Sequence, residues 1–577
     1  MGLFKKDTEG VDPQQSQTDI AHEKDLEKNF EDVQLEQRQA SVDNGGSAPF
    51  IDPVIEKRVI RKLDWHLVPL LMALYLLAFL DRSNIGNAKI AGMKDALNLT
   101  DDRYSWLLTI FYISYILFQF QVLGWKRFPP HIWAAWAIFG WGVISSCQAV
   151  VTTWEGEMVL RFLLGVFEAA FGPGVPYLLS FFYLRHEVGF RSGIFLAAAP
   201  LATCFAGALA YGITSGKASI PNWKLLFLVE GLPTLAMVPI AYFFLPDSPQ
   251  KAKFLTDDEK RVAIARGVRQ TGTTERVGRI KFKDVGLTFI DPKAICTALM
   301  YFSCNVSFSS LPVFLPTILE EMGFESITAQ GLSAPPYFLS FLITIASAYI
   351  ADKTQQRGLT IIILSIVGGV GYVMLATTTG TGPRYAGVFL AASGVFPCIA
   401  NILPWVTNNQ GNDDRRGAAF VLLNFIGQCG PLLGTRIYND APFYVKGQSI
   451  CAAFMFFNGI LALSLRTLLA YENRKLDKQY GTIEEQKNRI ASTEGSKEAG
   501  IEANTGVENF GPMYRYVLVA DMLSEMSRFW RRLTNKLCCM RDDDEEVTEM
   551  VIGEPFGVQK NDVVVEDGVL SLASPAV

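Results

Sequence analysis

Apolar runs recur along the chain from His66 to Ala470, separated by short polar connections. A membrane-spanning helix needs roughly 20 predominantly apolar residues, and about twelve segments meet that length. Six lie near His66–Gly86, Trp106–Trp125, His131–Val151, Met158–Phe182, Ser192–Ile213 and Leu225–Leu245. Six more lie near Ala294–Leu319, Leu332–Ile350, Leu359–Thr377, Tyr385–Val406, Gly417–Ile437 and Ser449–Ala470. Pro246–Lys293 is the longest polar interruption between them. Six segments, a long connection and six more is the layout of a two-fold repeated carrier. The pattern predicts an all-α integral membrane protein with about twelve transmembrane helices in two six-helix bundles. The expected divisions are a disordered N-terminal tail over 1–57, a first bundle over 58–245 and a central loop over 246–293. A second bundle over 294–470 and a C-terminal tail over 471–577 complete them.

Lys and Arg sort to one side of these segments. Arg58, Arg61 and Lys62 precede the first, Arg185 and Arg191 follow the fourth, and the central loop is rich in both residues. The positive-inside rule then puts both tails and the central loop in the cytoplasm. Within that loop, Thr256-Asp257-Asp258-Glu259 has the form of a capping box. It predicts an amphipathic surface helix lying under the two halves, followed by a flexible turn at 271–278. In the C-terminal tail, Met526–Arg541 interleaves Phe529 and Trp530 with Arg528, Arg531, Arg532 and Lys536, ahead of Cys538 and Cys539. Such a segment can rest on an anionic leaflet, although an unstructured tail explains it as well.

Composition narrows the function. Half the residues are hydrophobic and 19% are charged, with a formal net charge of -5. No basic stripe points to nucleic acid. The nine cysteines show no metal-like CxxC spacing, and no GxxxxGK[ST] loop is present for ATP. The sequence therefore predicts no enzyme, no cofactor and no metal site.

Charges inside apolar runs are the informative exceptions, because a charged side chain at membrane depth costs several kcal/mol. Asp81 and Arg82 are adjacent at the end of the first run, and Arg161 and Glu168 recur in the fourth. Their separation of seven residues is about two helical turns, so one helix face carries both. The planar fork of Arg82 matches a carboxylate, and a proton on Asp81 would free it to hold one. Tyr115, Trp405 and Asn424 are candidates for stacking on and hydrogen bonding to a small substrate, set against the plainer reading of core packing.

Several of these residues sit in recognisable motifs. Leu80-Asp81-Arg82-Ser83-Asn84-Ile85-Gly86-Asn87-Ala88 resembles the first-span signature of the fungal anion:cation symporters, a family of the major facilitator superfamily that includes allantoate and vitamin permeases. Arg161–Ala169, Glu230-Gly231-Leu232-Pro233, Leu245–Pro249, Ser333–Tyr337 and Trp405–Asn409 are similar in order and spacing, and the resemblance runs from Arg58 to Tyr480. It implies that Arg82 binds a substrate carboxylate, that Asp81 and Glu168 handle protons, and that Arg161 partners Glu168. Asp352 with Arg357 resembles the superfamily's gating motif. Its counterpart after the second span departs from the pattern, because Gly124-Trp125-Lys126-Arg127-Phe128 lacks the Asp.

The expected function is proton-coupled import of a small organic anion by alternating access, carried out by a monomer in the plasma membrane. An exporter of an acidic metabolite on the same fold and a nutrient receptor are the alternatives.

Overall fold

The computed structural model describes residues 53–216, 219–271, 282–410 and 413–482, together with the single residues 485 and 516. The readings for 1–52, for the turn after Thr271 and for Met526–Arg541 with Cys538 and Cys539 lie outside the described residues. Those described form helices and connections, and eleven of the helices are long and apolar enough to cross a membrane.

The first half contains α1 (Pro53–Ser83), α2 (Asp101–Leu117), α3 (Pro130–Cys147), α4 (Trp154–Phe171), α5 (Gly174–Phe182), α6 (Arg185–Thr214) and α7 (Asn222–Phe244). Two shorter helices follow, α8 (Asp257–Thr271) and α9 (Phe282–Ile290). The second half contains α10 (Pro292–Glu321), α11 (Ser326–Thr354), α12 (Arg357–Thr377), α13 (Thr381–Asn408), α14 (Asp413–Gly427), α15 (Gly430–Gly434) and α16 (Val445–Tyr480).

Side chains set several helix starts. Thr100 accepts from the Arg103 N–H at the head of α2, and Thr153 accepts from the Gly156 N–H at the head of α4. The fourth apolar run is broken into α4 and α5 at Gly172-Pro173, where proline supplies no N–H to continue the ladder. The second run, expected as one helix, is also broken. After α2 the chain tightens into a 3₁₀ turn, Gln119–Leu123, and then Gly124–Arg127. This turn lets Trp125 reach the α4–α5 break, where its indole N–H donates to the Ala170 carbonyl at 2.7 Å.

Helices in lipid gain stability from close packing more than from hydrophobic burial, so small residues mark the contacts. The broadest contact between the halves is α6 on α11. A Cβ on Gly193 would lie 2.5 Å from the Ala348 Cβ, and one on Gly207 would lie 2.2 Å from the Ser333 Oγ. At the end of the molecule that holds Asp101 and Glu321, Tyr104 donates to the Val313 carbonyl at 3.1 Å. Arg436 pairs there with Asp102 at 3.1 Å.

Among the described residues, ion pairs tie the central helix α8 to the first half, where Arg266 bridges Glu56 at 2.8 Å and Glu187 at 2.5 Å. Lys62 on α1 pairs with Glu259 at 2.7 Å. Glu259 also accepts from the Thr256 N–H at 2.9 Å, the backward arm of the expected capping box. Burial works against the charge of Glu259, but Lys62 and the Thr256 N–H outweigh it and hold the carboxyl below the usual range. Charge complementarity places this helix, and hydropathy carries no information about it.

Candidate functional site

A narrow cavity, partly open to solvent, lies between the two halves. The first half contributes Tyr75, Arg82 and Tyr115 to its wall, and the second contributes Tyr301, Asn305 and Asn424. Arg82 is the cation of this wall. Its Nε and Nη2 both donate to Glu168 Oε2, at 2.9 and 2.6 Å, and the guanidinium lies over the rings of Phe111 and Tyr115. Glu168 is almost wholly enclosed, and its second oxygen is unpaired.

This pairing differs from the expected one. Consecutive helical residues point about 100° apart, so Asp81 faces away from Arg82. It turns into the first half and accepts from Ser145 Oγ at 2.6 Å and Thr234 Oγ1 at 3.0 Å. Arg161 does not partner Glu168 either. Helical side chains lean toward the N-terminus, so Arg161 reaches back one turn to Glu157 at 3.3 Å instead of forward two turns. Its Nη1 donates to the Arg82 carbonyl at 3.4 Å. Arg161 thus supports the backbone that carries Arg82 and lies outside the cavity lining.

Tyr115 and Asn424 line the cavity as expected candidates should. The Asn424 amide donates to the Phe420 carbonyl at 2.9 Å. Trp405 does not line it. The indole is buried inside the second half, where a Cβ on Gly358 would lie 3.0 Å from the ring, beside Arg466. Asp352 and Arg357 form an ion pair between α11 and α12. The α6 backbone packs directly on that pair, since a Cβ on Gly189 would come within 2.2 Å of Arg357 Nη2.

Sequence reasoning missed Tyr75, Tyr301 and Asn305 because nothing in an apolar run distinguishes a cavity-facing tyrosine from a packed one. It also gave no role to Glu157 or Glu230, both fully enclosed. A lone acid inside an apolar run is itself the signal that finds Glu230.

Residues 71–435 match the family model described as Major Facilitator Superfamily. The chain belongs to that superfamily. Among curated relatives, the MFS transporter prlL of a fungal species is 34% identical over 77% of this chain and 93% of its own length. The high-affinity nicotinic acid transporter of Saccharomyces cerevisiae is 29% identical over 80% of this chain and 87% of its own. Among solved structures, the proton:xylose symporter XylE bound to 6-bromo-6-deoxy-D-glucose superposes with a TM-score of 0.53 at 13% identity. That match covers 69% of this chain and 95% of XylE, and it is a likeness of fold. The protein is accordingly a multi-pass membrane transporter and not an enzyme.

Proposed function

We propose that the protein carries a small organic anion, a carboxylate, coupled to protons, in the manner of the fungal anion:cation symporters. The observation that supports this most is the Arg82–Glu168 pair on the cavity wall. With Glu168 ionised, the guanidinium is occupied. A proton on Glu168 removes its charge and releases both N–H groups of Arg82, which then suit a substrate carboxylate in bidentate fashion. Substrate and proton therefore enter together or not at all, because an unpaired guanidinium at this depth is costly.

Tyr75, Tyr115 and Tyr301 offer ring faces, and Asn305 and Asn424 offer amides on the opposite wall. This suits a compact anion with a flat or ring-shaped body. The relative named as a nicotinic acid transporter supports such a cargo. The two halves, 58–245 and 294–470, rock about the cavity as two bundles of one chain acting as a monomer. Both tails and α8 face the cytoplasm of a plasma-membrane carrier working as an importer.

Labelled nicotinate, with neutral nicotinamide as control, tests the reading in cells lacking their own permeases. Uptake of the acid that collapses with a protonophore is expected. Equal uptake of the amide, or indifference to the protonophore, would overturn it.

A further inference from the structure

Behind the Arg82–Glu168 pair, the first half encloses a second polar compartment. It holds three carboxyl groups, Asp81, Glu157 and Glu230, against one guanidinium, Arg161, and none is more than 2% exposed. Two of the acids are accommodated. Asp81 takes two hydroxyl donors, and Glu157 takes Arg161. Glu230 is not: neither of its oxygens has a hydrogen-bond partner.

Its neighbours make this informative. Glu230 precedes Thr234 by one turn of α7, and Thr234 donates to Asp81, so the two acids share one face of the compartment. Asp81, Asn84 and Arg161 are near enough to Glu230 to act on it. The Asn84 amide nitrogen, fully buried, is also unpaired, so it stands next to the carboxyl without an aligned bond. On the α3 side a Cβ on Gly231 would lie 2.8 Å from the Ser146 N, which puts the two backbones in near contact. The charged groups on the flanking segments are engaged elsewhere. Glu168, which acts on Asp81 from the cavity side, is held by Arg82 at 2.6 Å, and Lys89 pairs with Asp101 at 3.7 Å.

A carboxylate enclosed with no aligned hydrogen bond, next to a second acid, is among the costliest arrangements in a protein. Three acids against one base leave two negative charges uncompensated; one proton shared by Glu230 and Asp81 removes one of them, and the hydroxyls of Ser145 and Thr234 support the other. We propose that Glu230 is a proton-binding site of the transport cycle, sharing a buried proton with Asp81 in a compartment the substrate does not enter. Arg161 connects this compartment to the cavity, because it holds Glu157 on one side and the Arg82 carbonyl on the other. The inference rests on the proton-coupled reading above.

The test reads the protein's own carboxyl groups and needs no substrate. Infrared difference spectra of the purified full chain are taken between mildly acidic and mildly alkaline buffer. A protonated-carboxyl band that grows with acid is expected to lose one component in Glu230→Gln and to shift in Glu230→Asp. Glu168→Gln should retain that component. A Glu230→Gln spectrum identical to wild type would overturn the proposal. So would a Glu230 component that no pH in this range alters, since that describes a fixed structural proton. Wild-type uptake indifferent to a proton gradient would instead count against the proposed function and leave the band assignment standing.

Discussion

Arg82 and Glu168 meet across the first half through two hydrogen bonds to a single carboxylate oxygen. The carboxylate that Arg82 holds is thus supplied by α4, eighty-six positions away, and not by the acid next to it in sequence. Removing the charge of Glu168 should leave Arg82 permanently available to an anion. Glu168→Gln is expected to retain substrate exchange but to lose proton-driven accumulation by about tenfold or more, equivalent to roughly 1.4 kcal/mol of coupling. Counterflow and gradient-driven uptake in the same vesicles check this, and unchanged accumulation contradicts it.

Arg82→Lys keeps the charge and loses the fork. Charged hydrogen bonds contribute about 1.5–3 kcal/mol, so apparent affinity for a carboxylate should fall about 10- to 100-fold. Concentration dependence of nicotinate uptake measures it, and wild-type affinity in the Lys variant would remove Arg82 from the binding site.

Gly189 lets α6 lie against the Asp352–Arg357 pair, where a Cβ would overlap the guanidinium. Gly189→Val should hold the two elements apart and slow the conformational cycle. The maximal rate is expected to fall several-fold while KM for the substrate changes little. A fall in affinity alone would point to the cavity instead.

Trp405 packs within the second half and not on the cavity. Trp405→Ala should lower thermal stability, with a cost on the order of 3–5 kcal/mol if the site does not collapse. The surviving folded protein should bind substrate as wild type does. Lost affinity in protein of unchanged melting temperature would reinstate it as a ligand.

The Lys62–Glu259 bridge ties α8 to α1, and Glu259 titrates below the ordinary carboxyl value of 4.5. Its stabilisation is therefore fully present above about pH 4.5 and is lost as pH falls through the lower, docked-state value. Lys62 is about one-third exposed, so screening keeps the contribution under about 1 kcal/mol. Hydrogen exchange of α8 amides should speed up on acidification in wild type and be fast already in Glu259→Gln. Exchange that does not respond to pH would place the anchorage in Arg266 alone.

Sequence alone located eleven of the twelve expected spanning segments, because length and apolarity are local properties that lipid imposes on each helix separately; the second, Trp106–Trp125, breaks after Leu117. It also marked Asp81, Arg82, Arg161 and Glu168 as candidates, since charge inside an apolar run is costly. The tertiary structure decided which of them meet. Helical phase sends Asp81 away from Arg82, and side-chain lean gives Arg161 to Glu157. Whether a tyrosine or tryptophan faces a cavity or a core depends on the neighbouring helix, so Tyr301 entered the site and Trp405 left it. The docking of α8 rests on ion pairs spanning 79 to 210 residues, and the isolation of Glu230 exists only once α1, α3, α4 and α7 close around it.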